Sequence, residues 1–154
     1  MRNHQLLQVF QKKHQEKYNI RSVLQILKPN CKIIEIDEIT EGSACTTLLA
    51  KKFIDNNNPL ILANSDQYIE WNSAKSIYNF VTKKLDGAIL TFEAIHPKWS
   101  YAKCDENNLV KEVAEKKVIS HNATVGVYYW KKGSDYVKYA EQMIDKNIRV
   151  NNEF

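Results

Sequence analysis

Leu60-Ile61-Leu62-Ala63-Asn64-Ser65-Asp66-Gln67 is an apolar run that stops abruptly on three polar residues, one of them a carboxylate. Leu60 to Ala63 show no alternation, which predicts a strand covered on both faces, as in a parallel sheet. Ligands in such folds bind beyond the carboxyl ends of the strands, where Asp66 stands. An aspartate with an adjacent hydroxyl and amide suits a hard divalent cation such as Mg2+. That ion takes one or two carboxylates and leaves its other positions to water and phosphate oxygens. The same triplet also forms simple turns, so the surrounding chain has to decide.

Working outward, Thr46 to Asp55 places Leu48, Leu49, Ala50, Phe53 and Ile54 at helical spacing and breaks on Asn56-Asn57-Asn58-Pro59. This gives helix, turn and then the strand carrying Asp66. Upstream, Gln5 to Phe10 and Lys32 to Ile36 read as strands, and His14 to Leu27 has a partly helical pattern stopped by Lys28-Pro29-Asn30. Downstream, Ser73 to Lys84 is a helix capped by Asn72 or Ser73. Ala88 to Ala94 is a strand, and Tyr101 to Asp105 with Leu109 to Ala114 form a hairpin around Glu106-Asn107-Asn108. Ala123 to Trp130 is a further strand, and Gly133 to Lys146 a last helix. The alternation predicts a single α/β domain over residues 1–154, with a mixed, mainly parallel sheet.

Composition narrows the function classes. At 44% hydrophobic and 26% charged residues the chain is ordinary globular protein. It has no apolar run near the roughly 18 residues of a membrane span, and Met1 to Leu7 is too short for a secretory signal. A cytoplasmic location is expected. Cys31, Cys45 and Cys104 fit neither a disulfide framework nor a zinc site. The net charge is +4 and the lysines are scattered in pairs, which argues against nucleic acid and suits a phosphorylated small molecule.

Four segments fall at predicted strand ends or helix starts. In Thr40-Glu41-Gly42-Ser43-Ala44, the glycine permits close approach by a flat ligand, and helix-start amides can donate to oxygens. Asn64, Ser65 and Asp66 are the second. In Glu115-Lys116, a carboxylate beside an ammonium can take sugar hydroxyls and a phosphate. Thr124-Val125-Gly126 puts a small residue in mid-strand, a sign of close approach to the backbone by a ligand. Each has an ordinary counterpart in a loop, cap, turn or solvated charge pair. His4, His14, His96 and His121 lack metal spacing, and the tryptophans and Tyr128-Tyr129 are expected to pack.

Taken in order, Glu41-Gly42-Ser43-Ala44, Leu62-Ala63-Asn64-Ser65-Asp66-Gln67, Glu112 to Lys117 and Thr124-Val125-Gly126-Val127-Tyr128 resemble the sugar-phosphate nucleotidylyltransferases, or nucleoside-diphosphate-sugar pyrophosphorylases. The Ala-Asn-Ser-Asp-Gln strand end and Lys146 to Phe154 are closest to the bacterial capsule and surface-polysaccharide type. The resemblance implies a Rossmann-like fold. In it a sugar 1-phosphate, or another phosphomonoester, attacks the α-phosphate of a nucleoside triphosphate and pyrophosphate leaves. It implies Asp66 as a Mg2+ ligand and catalytic group, and Lys116 as the basic group near the acceptor phosphate. Glu41, Gly42, Ser43, Ala44, Asn64 and Ser65 would contact the nucleotide, and Glu115, Thr124 and Gly126 the acceptor. Positioning and charge neutralisation would suffice for such in-line transfer.

The family begins with a strand and a Gly-x-Gly-x-x-x-Arg loop, whereas the four glycines here are Gly42, Gly87, Gly126 and Gly133. The chain is therefore expected to be an internal piece, lacking the first strand and the phosphate loop, with a tendency to self-associate and little activity alone. A nucleotide-sugar-dependent glycosyltransferase is the nearest rival, but such enzymes carry Asp-x-Asp and position 68 is Tyr68. A non-catalytic scaffold is the other alternative.

Overall fold

The computed structural model describes residues 5–154. Residues 1–4, including His4 and most of the stretch tested for a secretory signal, lie outside them. The chain divides into two compact units, one comprising the residues up to Asp55 together with Val137–Phe154, the other Asn56–Tyr136.

In the first unit, β1 (Leu7–Gln11) and β2 (Lys32–Ile36) pair in parallel, Leu7 opposite Lys32. A parallel pair needs a crossover, supplied here by α1 (Lys12–Tyr18) and α2 (Ile20–Leu27). The expected single helix over His14–Leu27 is split at Asn19, whose φ of 50° is left-handed. Its N–H donates to Gln15 O at 2.8 Å and so closes α1. Asparagine is among the few residues that adopt this conformation readily. Arg21 Nη2 meets Glu35 Oε1 at 2.8 Å and ties α2 to β2. Next come α3 (Ser43–Leu48) and α4 (Lys51–Ile54), and the second half of α6 (Gly133–Asp145) also belongs to this unit. Lys51 Nζ bonds Glu141 Oε1 at 2.6 Å. Ala44, Ala50, Val137 and Ala140 are buried.

The second unit is built on β7 (Asn122–Trp130). One edge of β7 pairs antiparallel with β4 (Gly87–Glu93). Its other edge is shared: β3 (Leu60–Ala63) takes Val127–Trp130, and β5 (Tyr101–Cys104) takes Ala123. β5 continues into β6 (Val110–Ala114) as the expected hairpin. α5 (Ser73–Thr82) is capped as expected, Lys75 N donating to Asn72 Oδ1 at 2.9 Å. Tyr101 is completely buried and its hydroxyl donates to His96 O at 2.8 Å. Burial of a large side chain of this kind contributes about 1.5–3 kcal/mol. Phe80 packs on Tyr129, Phe92 on Trp99 and Trp130 on Tyr136, so these aromatics do pack.

The α/β class with mixed pairing is as expected, but among the described residues the parallel component is confined to β1–β2 and the other ladders are antiparallel. The strand ahead of Asp66 shows why. β3 lies against β7 only, and its residues alternate between half-buried and exposed, with Ile61 42% exposed. An unbroken apolar run therefore marks a one-sided strand here and not one covered on both faces. Among the described residues no helix is long and apolar enough to cross a membrane.

Candidate functional site

Where the edge of β7 passes from β3 to β5, the strand is irregular. Ile89 pairs with Tyr128 and Thr91 with Thr124, so Val125, Gly126 and Val127 oppose Leu90 alone. Gly126 accommodates this bulge with a left-handed φ of 69°, a conformation glycine adopts without steric cost. Its N-terminal neighbours Thr124 and Val125 sit opposite the gap between β3 and β5. Asn64 leaves β3 at the same point, its N–H donating to Gly126 O at 3.0 Å. The Asn64 side chain lies over Gly126, where a Cβ would stand 2.4 Å from Nδ2 and 2.7 Å from Cγ. The sequence leads one to expect a ligand close to Gly126; the group found there is the chain's own Asn64. Ser65 and Asp66 follow, both exposed.

The other half of this site is a polar row. Tyr101 pairs with both Ala114 and Ala123, which places the next residues, Ser100, Glu115 and Thr124, on the opposite face of the sheet. Thr124 N donates to Ser100 O at 2.8 Å, Ser100 Oγ donates to Glu115 Oε2, and Thr91 stands opposite Thr124 on β4. Glu115 Oε1 is 3.8 Å from Lys116 Nζ. Lys116 itself has φ 52°, left-handed for a residue with a Cβ, a backbone state that costs of order 1 kcal/mol and concentrates at functional positions. Thr91, Thr124, Ser100 and Glu115 therefore form a line of hydroxyls ending on a carboxylate and an ammonium. Phe92 and Trp99 pack on the other face, with Ala123 and Tyr101. Sequence reasoning missed Thr91 and Ser100. A regular hairpin around Glu106-Asn107-Asn108 would put Ser100 opposite Ala114, and the register shift between Lys103 and Cys104, which the sequence does not signal, is what brings it opposite Glu115.

Glu41 to Ala44 lie in the first unit. Gly42 has φ 121°, and a Cβ there would fall 2.2 Å from Phe154 O and 2.6 Å from Phe154 N. The backbone that approaches it is the chain's own. Ala44 N, expected at a helix start with a free amide, donates to Phe154 O at 3.1 Å, and Phe154 N donates to Glu41 O at 2.8 Å. Ser43 opens α3 and is exposed.

Among the described residues no three His, Cys, Asp or Glu side chains cluster to hold a metal. Asp66 supplies one exposed carboxylate, with Asn64 and Ser65 adjacent. A single carboxylate is compatible only with a cation such as Mg2+ that takes its other ligands from water and substrate phosphates, not with a site enclosed by protein ligands.

The sequence matches no protein-family model and no curated protein sequence at a significant level. Solved structures do match. The nucleoside-diphosphate-sugar pyrophosphorylase of Vibrio cholerae RC9 has a TM-score of 0.78 at 20% identity, covering 99% of this chain and 65% of its own. A protein assigned as a glucose-1-phosphate thymidylyltransferase of Bacillus anthracis, solved with sucrose, has 0.68 at 17% identity over 94% of this chain and 56% of its own. A UDP-glucose pyrophosphorylase complexed with UDP-glucose has 0.62 at 14% identity, over 90% and 62% respectively. The chain shares the fold of these nucleotidyltransferase structures and spans just under two thirds of the length of the Vibrio protein.

Proposed function

We propose that this chain carries part of a site that joins a nucleoside monophosphate to a sugar phosphate. The carrying observation is the row Thr91, Thr124, Ser100, Glu115 with Lys116 at its end. Hydroxyls and a carboxylate on one face match the alternating donors and acceptors of a sugar ring, and an adjacent ammonium matches its phosphate. A quaternary ammonium acceptor such as choline phosphate would call for an aromatic cage, and the Phe92–Trp99 pair is on the other face.

In this reading Glu115 and Thr124 hold the acceptor and Lys116 its phosphate, while Gly126, expected to touch the acceptor, shapes that end of the site by seating Asn64. A phosphate oxygen attacks the α-phosphorus of the triphosphate, the bond to the β-phosphate oxygen breaks, and pyrophosphate leaves. Asp66 would hold Mg2+, which when bound offsets phosphate charge. Asn64 and Ser65, and separately Glu41 to Ala44, are assigned to the nucleotide by resemblance and by the fold shared with pyrophosphorylases. The surface-polysaccharide resemblance supports supply of nucleotide sugars for such polymers, in the cytoplasm where the triphosphates are.

Within these 154 residues no Gly-x-Gly-x-x-x-Arg stretch occurs, so acceptor and product binding, with little turnover, is expected of this chain. Calorimetric titration with hexose 1-phosphates and nucleoside-diphosphate sugars tests the reading. Glu115→Gln should weaken hexose 1-phosphate binding by roughly tenfold or more, the scale of one charged hydrogen bond. Equal binding by the wild type and the variant, or preference for choline phosphate, would overturn it.

A further inference from the structure

We propose that Arg149 and the turn running from Asn147 to Phe154 form a clamp that fixes the conformation of Glu41–Ala44, making Arg149 a positioning residue for that segment.

The guanidinium is used on every side. Nη2 meets Glu41 Oε2 at 2.6 Å, Nη1 donates to Asn152 O at 3.0 Å and Nε to Asn147 Oδ1 at 2.7 Å. Its carbon lies 3.7 Å from the centre of the Phe154 ring, within the range of a cation–π contact. Asn147, Asn151 and Asn152 all have left-handed φ, of 50°, 51° and 66°, and Val150 and Glu153 exchange backbone hydrogen bonds at 3.0 Å each. This tight turn brings the Phe154 backbone to the segment. Phe154 N and O then bond Glu41 O and Ala44 N, and Gly42 admits the Phe154 backbone where any Cβ would collide.

One planar cation therefore holds both the turn and the Glu41 carboxylate. Arginine is suited to this, since its fork donates in several directions in one plane while its face stacks on a ring. Lysine can keep the ion pair but not the fork. The consequence for nucleotide binding rests on the assignment of Glu41–Ala44 under Proposed function; the clamp itself does not.

The test compares the wild-type chain with Arg149→Met and Arg149→Lys by amide hydrogen exchange, with binding of a nucleoside-diphosphate sugar measured in parallel. Arg149→Met should speed exchange at the Ala44 and Phe154 amides by about tenfold. Arg149→Lys should restore part of the protection, and the strands of the second unit should be unchanged. Unchanged exchange at Ala44 and Phe154, or acceleration spread evenly over the chain, would overturn the clamp. If exchange accelerates locally while nucleoside-diphosphate-sugar affinity is the same in all three proteins, the clamp stands and the nucleotide assignment of Glu41–Ala44 fails.

Discussion

Replacing Gly126 by alanine should cost two separable amounts of stability. The first is conformational: φ 69° is left-handed, which penalises a residue with a Cβ by about 1–2 kcal/mol. The second is steric, because the new methyl would lie 2.4 Å from Asn64 Nδ2 and 2.7 Å from Cγ. Either the Asn64 side chain swings away or the bulge reshapes, at about 1–2 kcal/mol more for an overpacked contact. Gly126→Ala alone should therefore cost roughly 2–4 kcal/mol. The colliding atoms all lie beyond Cβ of Asn64, so in an Asn64→Ala background only the conformational part, about 1–2 kcal/mol, should remain. Urea unfolding of the four proteins, followed by tryptophan fluorescence, closes the cycle and yields the coupling between neighbours directly. Equal costs in the two backgrounds would refute the contact, and a cost below about 0.5 kcal/mol would refute the left-handed bulge as well.

Other consequences are simpler to check. Asn72→Ala removes the acceptor for Lys75 N at the start of α5, and should lower stability by about 1 kcal/mol, or the melting temperature by about 2–4 °C. The Asp105 carboxyl is held below its usual range, first by the Leu109 backbone N–H and then by Lys111. Its folded pKa being the lower one, its contribution to the hairpin is present above the unfolded value of about 3.9 and is lost as pH falls through the folded value. Asp105→Asn should flatten this acid dependence in the amide shifts of Asn107 and Leu109, and an unaltered pH profile would remove Asp105 as its origin. Ser100→Ala frees Glu115 Oε2 and should weaken hexose 1-phosphate binding less than Glu115→Gln does, with stability little changed. A titration comparing both variants would show this, and a larger effect from Ser100→Ala would give Ser100 the direct role.

Element positions were legible because apolar spacing reports the local period directly: β2 and β3 begin and end where Lys32–Ile36 and Leu60–Ala63 do. The pairing partner of β3 was not, since an apolar run of four residues is the same whether its neighbour runs parallel or antiparallel. Asn19 does not read as a helix break because asparagine is tolerated in a helical pattern and its left-handed role appears only in the folded backbone. For the site, Gly126 signals close approach and suggests a ligand, but the approaching group is Asn64, 62 positions away in sequence and brought there only by the β3–β7 register. Gly42 follows the same logic, its partner Phe154 being far downstream. Glycines disclose that something comes near, and tertiary structure decides what.

The central claim is that the face carrying Thr91, Thr124, Ser100 and Glu115 receives a sugar phosphate. The most direct measurement is a heteronuclear NMR titration of the labelled chain with glucose 1-phosphate in Mg2+ buffer. The account predicts saturable shifts confined to the amides around Ser100, Glu115, Lys116 and Thr124 to Gly126, lost in Glu115→Gln. Saturable shifts elsewhere, or none at those residues, would contradict it.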